Sequence, residues 1–193
     1  NRWRTRFSPD ATGTWKYKTE CSDESNKGLH GKSGSFSCSE YKGENRLFQH
    51  GELRLSQNRR FFEHHDGTPF FFLADTVWCG PALADFDEWR VFLKDRVEKK
   101  FTAIQFVVTQ WRMFAKDAEG NVTYTCKEKI KINPAYFQRL DRFVDEINRA
   151  EMIAVPVILW ALPHGNENPG HVLPVDQKVV LAEYIVARYG AHQ

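Results

Sequence analysis

The chain has 193 residues, 41% hydrophobic and 14% aromatic, enough apolar material for one sizeable core or two unequal domains. Lys and Arg total 27 against 25 Asp and Glu, a formal charge of +2, so there is no basic field of the kind nucleic-acid binding requires. No run of about 18 apolar residues suits a membrane span, Asn1-Arg2-Trp3-Arg4 is no signal peptide, and Cys21, Cys38, Cys79 and Cys126 lack the paired spacing of zinc ligands.

The first sixty or so residues alternate short β-prone runs with turn chemistry and read as antiparallel β. Within 13–19 the aromatics Trp15 and Tyr17 share one parity, so one face of that strand is apolar and the other polar. Residues 53–56 and 61–64 read as a hairpin, and His65-Asp66-Gly67-Thr68-Pro69 turns the chain again. Adjacent His64 and His65 point to opposite faces of a strand and suggest a solvated, turn-flanking pair rather than a metal site. A domain boundary is expected just before this hairpin, dividing the chain into 1–50 and 51–193.

The texture then changes. Residues 70–78 form a near-continuous apolar strand, and 85–100 carry helical spacing through Phe86, Trp89, Phe92, Leu93 and Val97. A second strand follows over 101–111, and Asn133-Pro134 opens a helix to about 151. A third strand covers 152–162, although Pro156 counts against it. A helix from Pro174 through Ala187 then leads to a Gly190 cap. Three successive β-α units imply parallel strands with right-handed crossovers, leaving barrel and doubly wound sheet both open.

In a barrel, alternate strand residues face the lumen, and functional groups gather at the C-terminal strand ends. If Gln105 faces inward, so do Val107, Thr109 and Trp111, leaving Ile104, Phe106 and Val108 for the helices. Placing Asp75 inward sets Phe71 and Leu73 below it and Trp78 just past the strand end. Sugar sites combine aromatic platforms with carboxylate and amide partners. Asp75, Trp78, Gln110, Trp111, Trp160 and His164 supply that mixture. A carboxylate within so apolar a run is costly to bury unpaired, which favours an open cleft for Asp75. Asn121-Val122-Thr123 matches the N-glycosylation sequon, a triplet common by chance.

Gly51-Glu52-Leu53, the run from Asp66-Gly67-Thr68-Pro69 through Asp75-Thr76-Val77-Trp78, and Ala182-Glu183-Tyr184 through Gly190-Ala191 resemble the apiosidase-like glycoside hydrolases, in that family's order. Upstream, Trp3 to Phe7, Trp15, Tyr17 and Gly31-Lys32-Ser33-Gly34-Ser35-Phe36 resemble the β-sandwich that precedes such barrels. The resemblance implies an α/β chain with an all-β N-terminal part: a partial β-sandwich, then the first three β-α units of a (β/α)8 TIM barrel. It also implies a secreted or periplasmic enzyme that acts on plant or microbial polysaccharide side chains, apiose-containing pectin among them. Its catalytic carboxylates would lie on later strands, so no catalytic residue is assigned, and neither cofactor nor metal is expected. A barrel needs about 250 residues, so the chain reads as a fragment that hydrolyses nothing alone.

Two rivals remain: a non-catalytic sugar-binding protein on the same scaffold, and a small doubly wound domain, disfavoured by the lack of a Gly-rich phosphate loop. A disulfide between Cys21 and Cys38 is expected, since they flank one polar loop between β runs. It would be worth about 3 kcal/mol.

Overall fold

The computed structural model describes residues 4–163 and 167–193. β1 (Gly13–Lys18) and β2 (Ser33–Cys38) pair antiparallel, from Gly13 opposite Cys38 to Lys18 opposite Ser33. As parity predicts, Trp15 and Tyr17 share a face, across from Phe36 and Gly34. The Tyr17 ring lies over Gly34, where a Cβ would come within 2.5 Å of the phenol oxygen, and Phe7 meets Trp15 edge-on at 5.0 Å. Phe7, Tyr17 and Phe36 remain exposed, so among the described residues no second sheet covers this face.

The expected disulfide does not form: Cys21 and Cys38 are both free thiols. Cys38 sits at the Gly13 end of the ladder, whereas Cys21 lies beyond Lys18 at the other end. A six-residue strand spans about 17 Å, well beyond the roughly 4.4–6.8 Å Cα separation a disulfide tolerates. The two cysteines flank one loop in sequence, but the hairpin folds them to opposite ends.

Helix α1 (Arg46–Gln49), capped by Asn45, leads into an antiparallel meander of β3 (Leu53–Leu55), β4 (Phe62–His64) and β5 (Pro69–Phe70). His65 is exposed, but His64 is buried at 6% exposure. Its Nδ1 lies 2.9 Å from the Gly51 carbonyl and its ring packs against Phe70, so it is a core residue rather than a solvated one. The apolar run 70–78 serves two sheets. Phe70 closes the meander, Phe71 to Leu73 stay exposed, and only β6 (Ala74–Thr76) enters the parallel sheet.

Helix α2 (Gly80–Leu83) and then α3 (Phe86–Glu98) follow, the latter opened by a reciprocal capping box of Asp85 and Glu88. β7 (Ala103–Val107) leads through a small hairpin, β8 (Tyr124–Thr125) and β9 (Lys131–Ile132), to α4 (Pro134–Arg149), capped by Asn133. β10 (Ile153–Val157), α5 (Pro169–Val172) and α6 (Val175–Tyr189), which ends at Gly190, complete the order. The parallel sheet runs β6-β7-β10 in chain order, the pattern that crossover helices α3 and α4 produce.

Ile104, Phe106 and Val108 pack with Trp89, Leu93, Phe137, Phe143, Ile147 and Leu181 in the main core, the helix-facing division expected from parity. The Trp89 indole N–H donates to the Phe143 carbonyl at 3.1 Å and pins α3 to α4. Pro156 stands within β10 without penalty. Ile153 N–H donates toward β7, to Thr102, whereas Ala154 N–H points outward, to the Gln193 carbonyl. Pro156 shares Ala154's parity, so the donor it lacks is an outward one.

Candidate functional site

Side-by-side residues of a parallel sheet share a face, so Thr76, Gln105 and Val155 point together. The Thr76 hydroxyl donates to Gln105 Oε1 at 3.2 Å. Further along this face a second core forms from Ala82, Val107, Trp111 and Phe114, with Trp78, Cys79, Val157 and Trp160 against it. Three tryptophans, each just past the C-terminal end of a successive strand, meet here. Ring centroids lie 6.1 Å apart for Trp78 and Trp111, 5.2 Å for Trp78 and Trp160, and 4.7 Å for Trp111 and Trp160. Trp111 is buried, and Trp78 and Trp160 are half-buried.

The backbone around the rings is braced. The turn after Trp78 needs Gly80, where a Cβ would meet Val77 and Trp89 at 2.7 and 2.8 Å. The Arg139 guanidinium, buried on α4, donates to the Pro81 and Ala84 carbonyls at the end of α2, satisfying orphan helix-end acceptors. It also lies 4.4 Å over Phe143. The Tyr136 hydroxyl donates to the Val108 carbonyl at 2.8 Å. Asn168, fully buried, accepts from Arg112 N–H at 3.1 Å and donates to the Leu162 carbonyl at 2.7 Å, so it joins the loops that carry Trp111 and Trp160.

Around the tryptophan cluster, burial is the main influence on the titratable groups. Burial raises the Cys79 thiol above its ordinary range. Burial, with the charge of Glu167 adding, pushes Tyr124 up to about 12, and burial also lifts Tyr136 well above its usual value. The Arg112 guanidinium lies 5.4 Å over the Trp111 ring. The indole N–H groups of Trp111 and Trp160 and the Thr109 hydroxyl are buried without a hydrogen-bond partner among the described residues. No group of three or more potential metal ligands occurs among those residues, and no carboxylate stands on the tryptophan face of the three paired strands. Chemically, the arrangement offers the apolar surface of the half-buried Trp78 and Trp160 rings, with no carboxylate pair on that face of the three strands.

Of the residues read from sequence, Trp78, Trp111 and Trp160 come together. His164 lies outside the described residues. Gln110 is turned away: its Oε1 accepts from the Thr123 hydroxyl and amide, because the β7 loop folds back beside it. Asp75 is also displaced. It pairs in register with Ile104, a helix-facing residue, and its carboxylate is ion-paired with Arg96 on α3. It therefore lies behind the sheet near the start of β7, not at the mouth. The inward parity belongs to Ala74 and Thr76. Asn168 and Arg139 were missed, and only the Asn168-Pro169 pair, a helix-start signal, hints at the first.

The apiosidase-like catalytic-domain model matches residues 56–193. The chain belongs to the apiosidase-like family. No curated protein matches this apiosidase-like chain. Among solved structures it is similar to a proposed glycoside hydrolase from Bacteroides vulgatus, with 19% identity, a TM-score of 0.71, and coverage of 96% of this chain and 37% of that one. It is similar to a structure named glycoside hydrolase, with 23% identity, a TM-score of 0.62, and coverage of 74% and 32%. It is similar to a glycoside hydrolase family 5 protein from Bacteroides vulgatus, with 18% identity, a TM-score of 0.57, and coverage of 75% and 31%. At these identities the likeness is one of fold, mixed α/β with a parallel sheet. The apiosidase-like chain spans about a third of the length of these structures. No helix among the described residues is long and apolar enough to cross a membrane.

Proposed function

We propose that residues 51–193 form the N-terminal portion of a (β/α)8 glycoside hydrolase barrel, with residues 1–50 the end of a β-sandwich before it. The substrates are plant or microbial polysaccharide side chains, apiose-containing pectin among them, and the setting is extracellular or periplasmic. The observation that carries this reading is the trio Trp78, Trp111 and Trp160 at three successive strand ends, the end of a barrel where sites assemble. Membership of the apiosidase-like family supports the reaction class.

Glycoside hydrolysis needs two carboxyl groups flanking the scissile bond, one protonating the leaving oxygen and the other acting as nucleophile or activating water. In this reading the half-buried Trp78 and Trp160 rings hold apolar sugar faces, and the acid pair comes from further strands of the complete barrel. The second reading is a non-catalytic sugar-binding protein on the same scaffold, which the tryptophan trio would serve equally.

The test titrates the protein with an apiose-containing pectic oligosaccharide, following tryptophan fluorescence and release of reducing sugar together. Quenching with release by the complete protein is expected. Quenching without release selects the binding reading, and neither signal overturns both.

A further inference from the structure

Asn168, Pro169 and Gly170 lie where the loops after β7 and β10 meet. Asn168 closes both loops at once, with its Oδ1 accepting from Arg112, the residue after Trp111, and its Nδ2 donating to Leu162, two residues after Trp160. Two residues on, Gly170 N–H donates to the Trp160 carbonyl at 3.0 Å. That approach requires glycine. A Cβ at 170 would come within 2.8 Å of the Trp160 oxygen, 2.9 Å of the Ala161 Cβ and 3.0 Å of its Cα, closer than real Cβ contacts allow. Pro169 occupies the first position of α5, where its fixed φ suits a helix start and no N–H is needed. One three-residue segment thus grips the backbone beside each of the two tryptophans whose rings stand 4.7 Å apart.

We infer that Asn168 and Gly170 are positioning residues: they set Trp160 against Trp111 and thereby the affinity of the aromatic mouth for sugar. The second half of that statement rests on the function proposed above; the first does not. Neither residue need touch the ligand. A fully buried asparagine between two loops holds their spacing because removing its side chain takes away the bonds to Arg112 N–H and the Leu162 carbonyl together. The glycine keeps the contact short because any side chain must push Trp160 outward.

The experiment compares the whole protein with Asn168→Ala and Gly170→Ala, using the tryptophan exciton band in circular dichroism, thermal melting, and titration with an apiose-containing pectic oligosaccharide. Both variants are expected to lose most of the exciton band and to bind the oligosaccharide about tenfold more weakly, a shift of about 1.4 kcal/mol. Asn168→Asp, which keeps one acceptor for Arg112, should recover part of the band. Should Asn168→Ala fail to fold, Gly170→Ala, which deletes no hydrogen-bonding group, carries the test. An unchanged exciton band in folded Gly170→Ala overturns the inference. A band lost in the variants, with no oligosaccharide binding even by the parent protein, upholds the positioning role and overturns the sugar-site reading instead.

Discussion

The Arg96 guanidinium on α3 is ion-paired with the Asp75 carboxylate on β6, on the side of the parallel sheet away from the tryptophans. Arg96 also pairs with Asp95 and lies 4.5 Å over the Phe92 ring, so Asp75 anchors β6 to a guanidinium already held in place. Asp75→Ala is expected to cost about 1 to 2 kcal/mol, the discounted value of a half-buried charged pair, and to lower Tm by a few degrees in a chain of this size. Sugar affinity of the folded protein should not change. Thermal melts of Asp75→Ala, Arg96→Met and the double variant should give a coupling energy. Additive single effects would remove the pair from the account.

The geometry of the β1–β2 hairpin leads to a second expectation, that Cys21 and Cys38 are both alkylated by iodoacetamide under non-reducing conditions. A peptide linked through these two cysteines in non-reduced mapping would require a register other than Gly13 opposite Cys38.

Asn121 should carry no glycan when the protein is made in a glycosylating host, despite its sequon. Its side-chain amide donates to Asp117 at 3.3 Å, and the Thr123 hydroxyl is fully buried and given to Gln110, so the folded loop withholds both groups. Thr123→Val should destabilise by about 1 kcal/mol, since the Gln110 oxygen loses the hydroxyl and keeps only the backbone N–H of residue 123. Intact mass and denaturant midpoints measure the two effects.

Alkaline stability has a defined sign. Tyr124 is pushed up to about 12 by burial and Glu167, and burial lifts Tyr136 and Tyr189 further. The folded state therefore holds these protons more tightly than the unfolded chain, whose tyrosines titrate near pH 10. Their contribution is complete below about pH 10 and is lost as pH rises towards 12. Phenolate absorbance from Tyr124→Phe and Tyr136→Phe, subtracted from that of the parent, should show these groups ionising only with unfolding. Ionisation near pH 10 in the native state would contradict their burial.

Periodicity made the helices and the central strand legible. Ile104, Phe106 and Val108 face the helices as their alternation implies, and the capping residues Asp85 and Asn133 stand where the polar-to-apolar transitions put them. The first parallel strand was harder. In Phe70 to Trp78 nearly every residue is apolar, so alternation carries no phase, and the single carboxylate drew the inward assignment to the wrong parity. Neither the antiparallel pairing that claims Phe70 nor Arg96, 21 residues beyond Asp75, leaves a local trace. Trp78, Trp111 and Trp160 come together as three residues that follow strand ends, a position the alternation makes legible. Asn168 and Arg139 were not legible, because each acts through backbone groups distant in sequence.

Pro156 also bears on how the sheet can continue beyond β10. Along the outward side of β10 the Ala154 amide is already taken by Gln193, and the next outward position has no amide to offer. A further strand laid along this side, as the proposed barrel requires, would receive no backbone donor from Pro156. The ring that looked like a defect in the strand thus leaves the pairing with β7 whole and removes one bond from the ladder on the side where the proposed barrel continues.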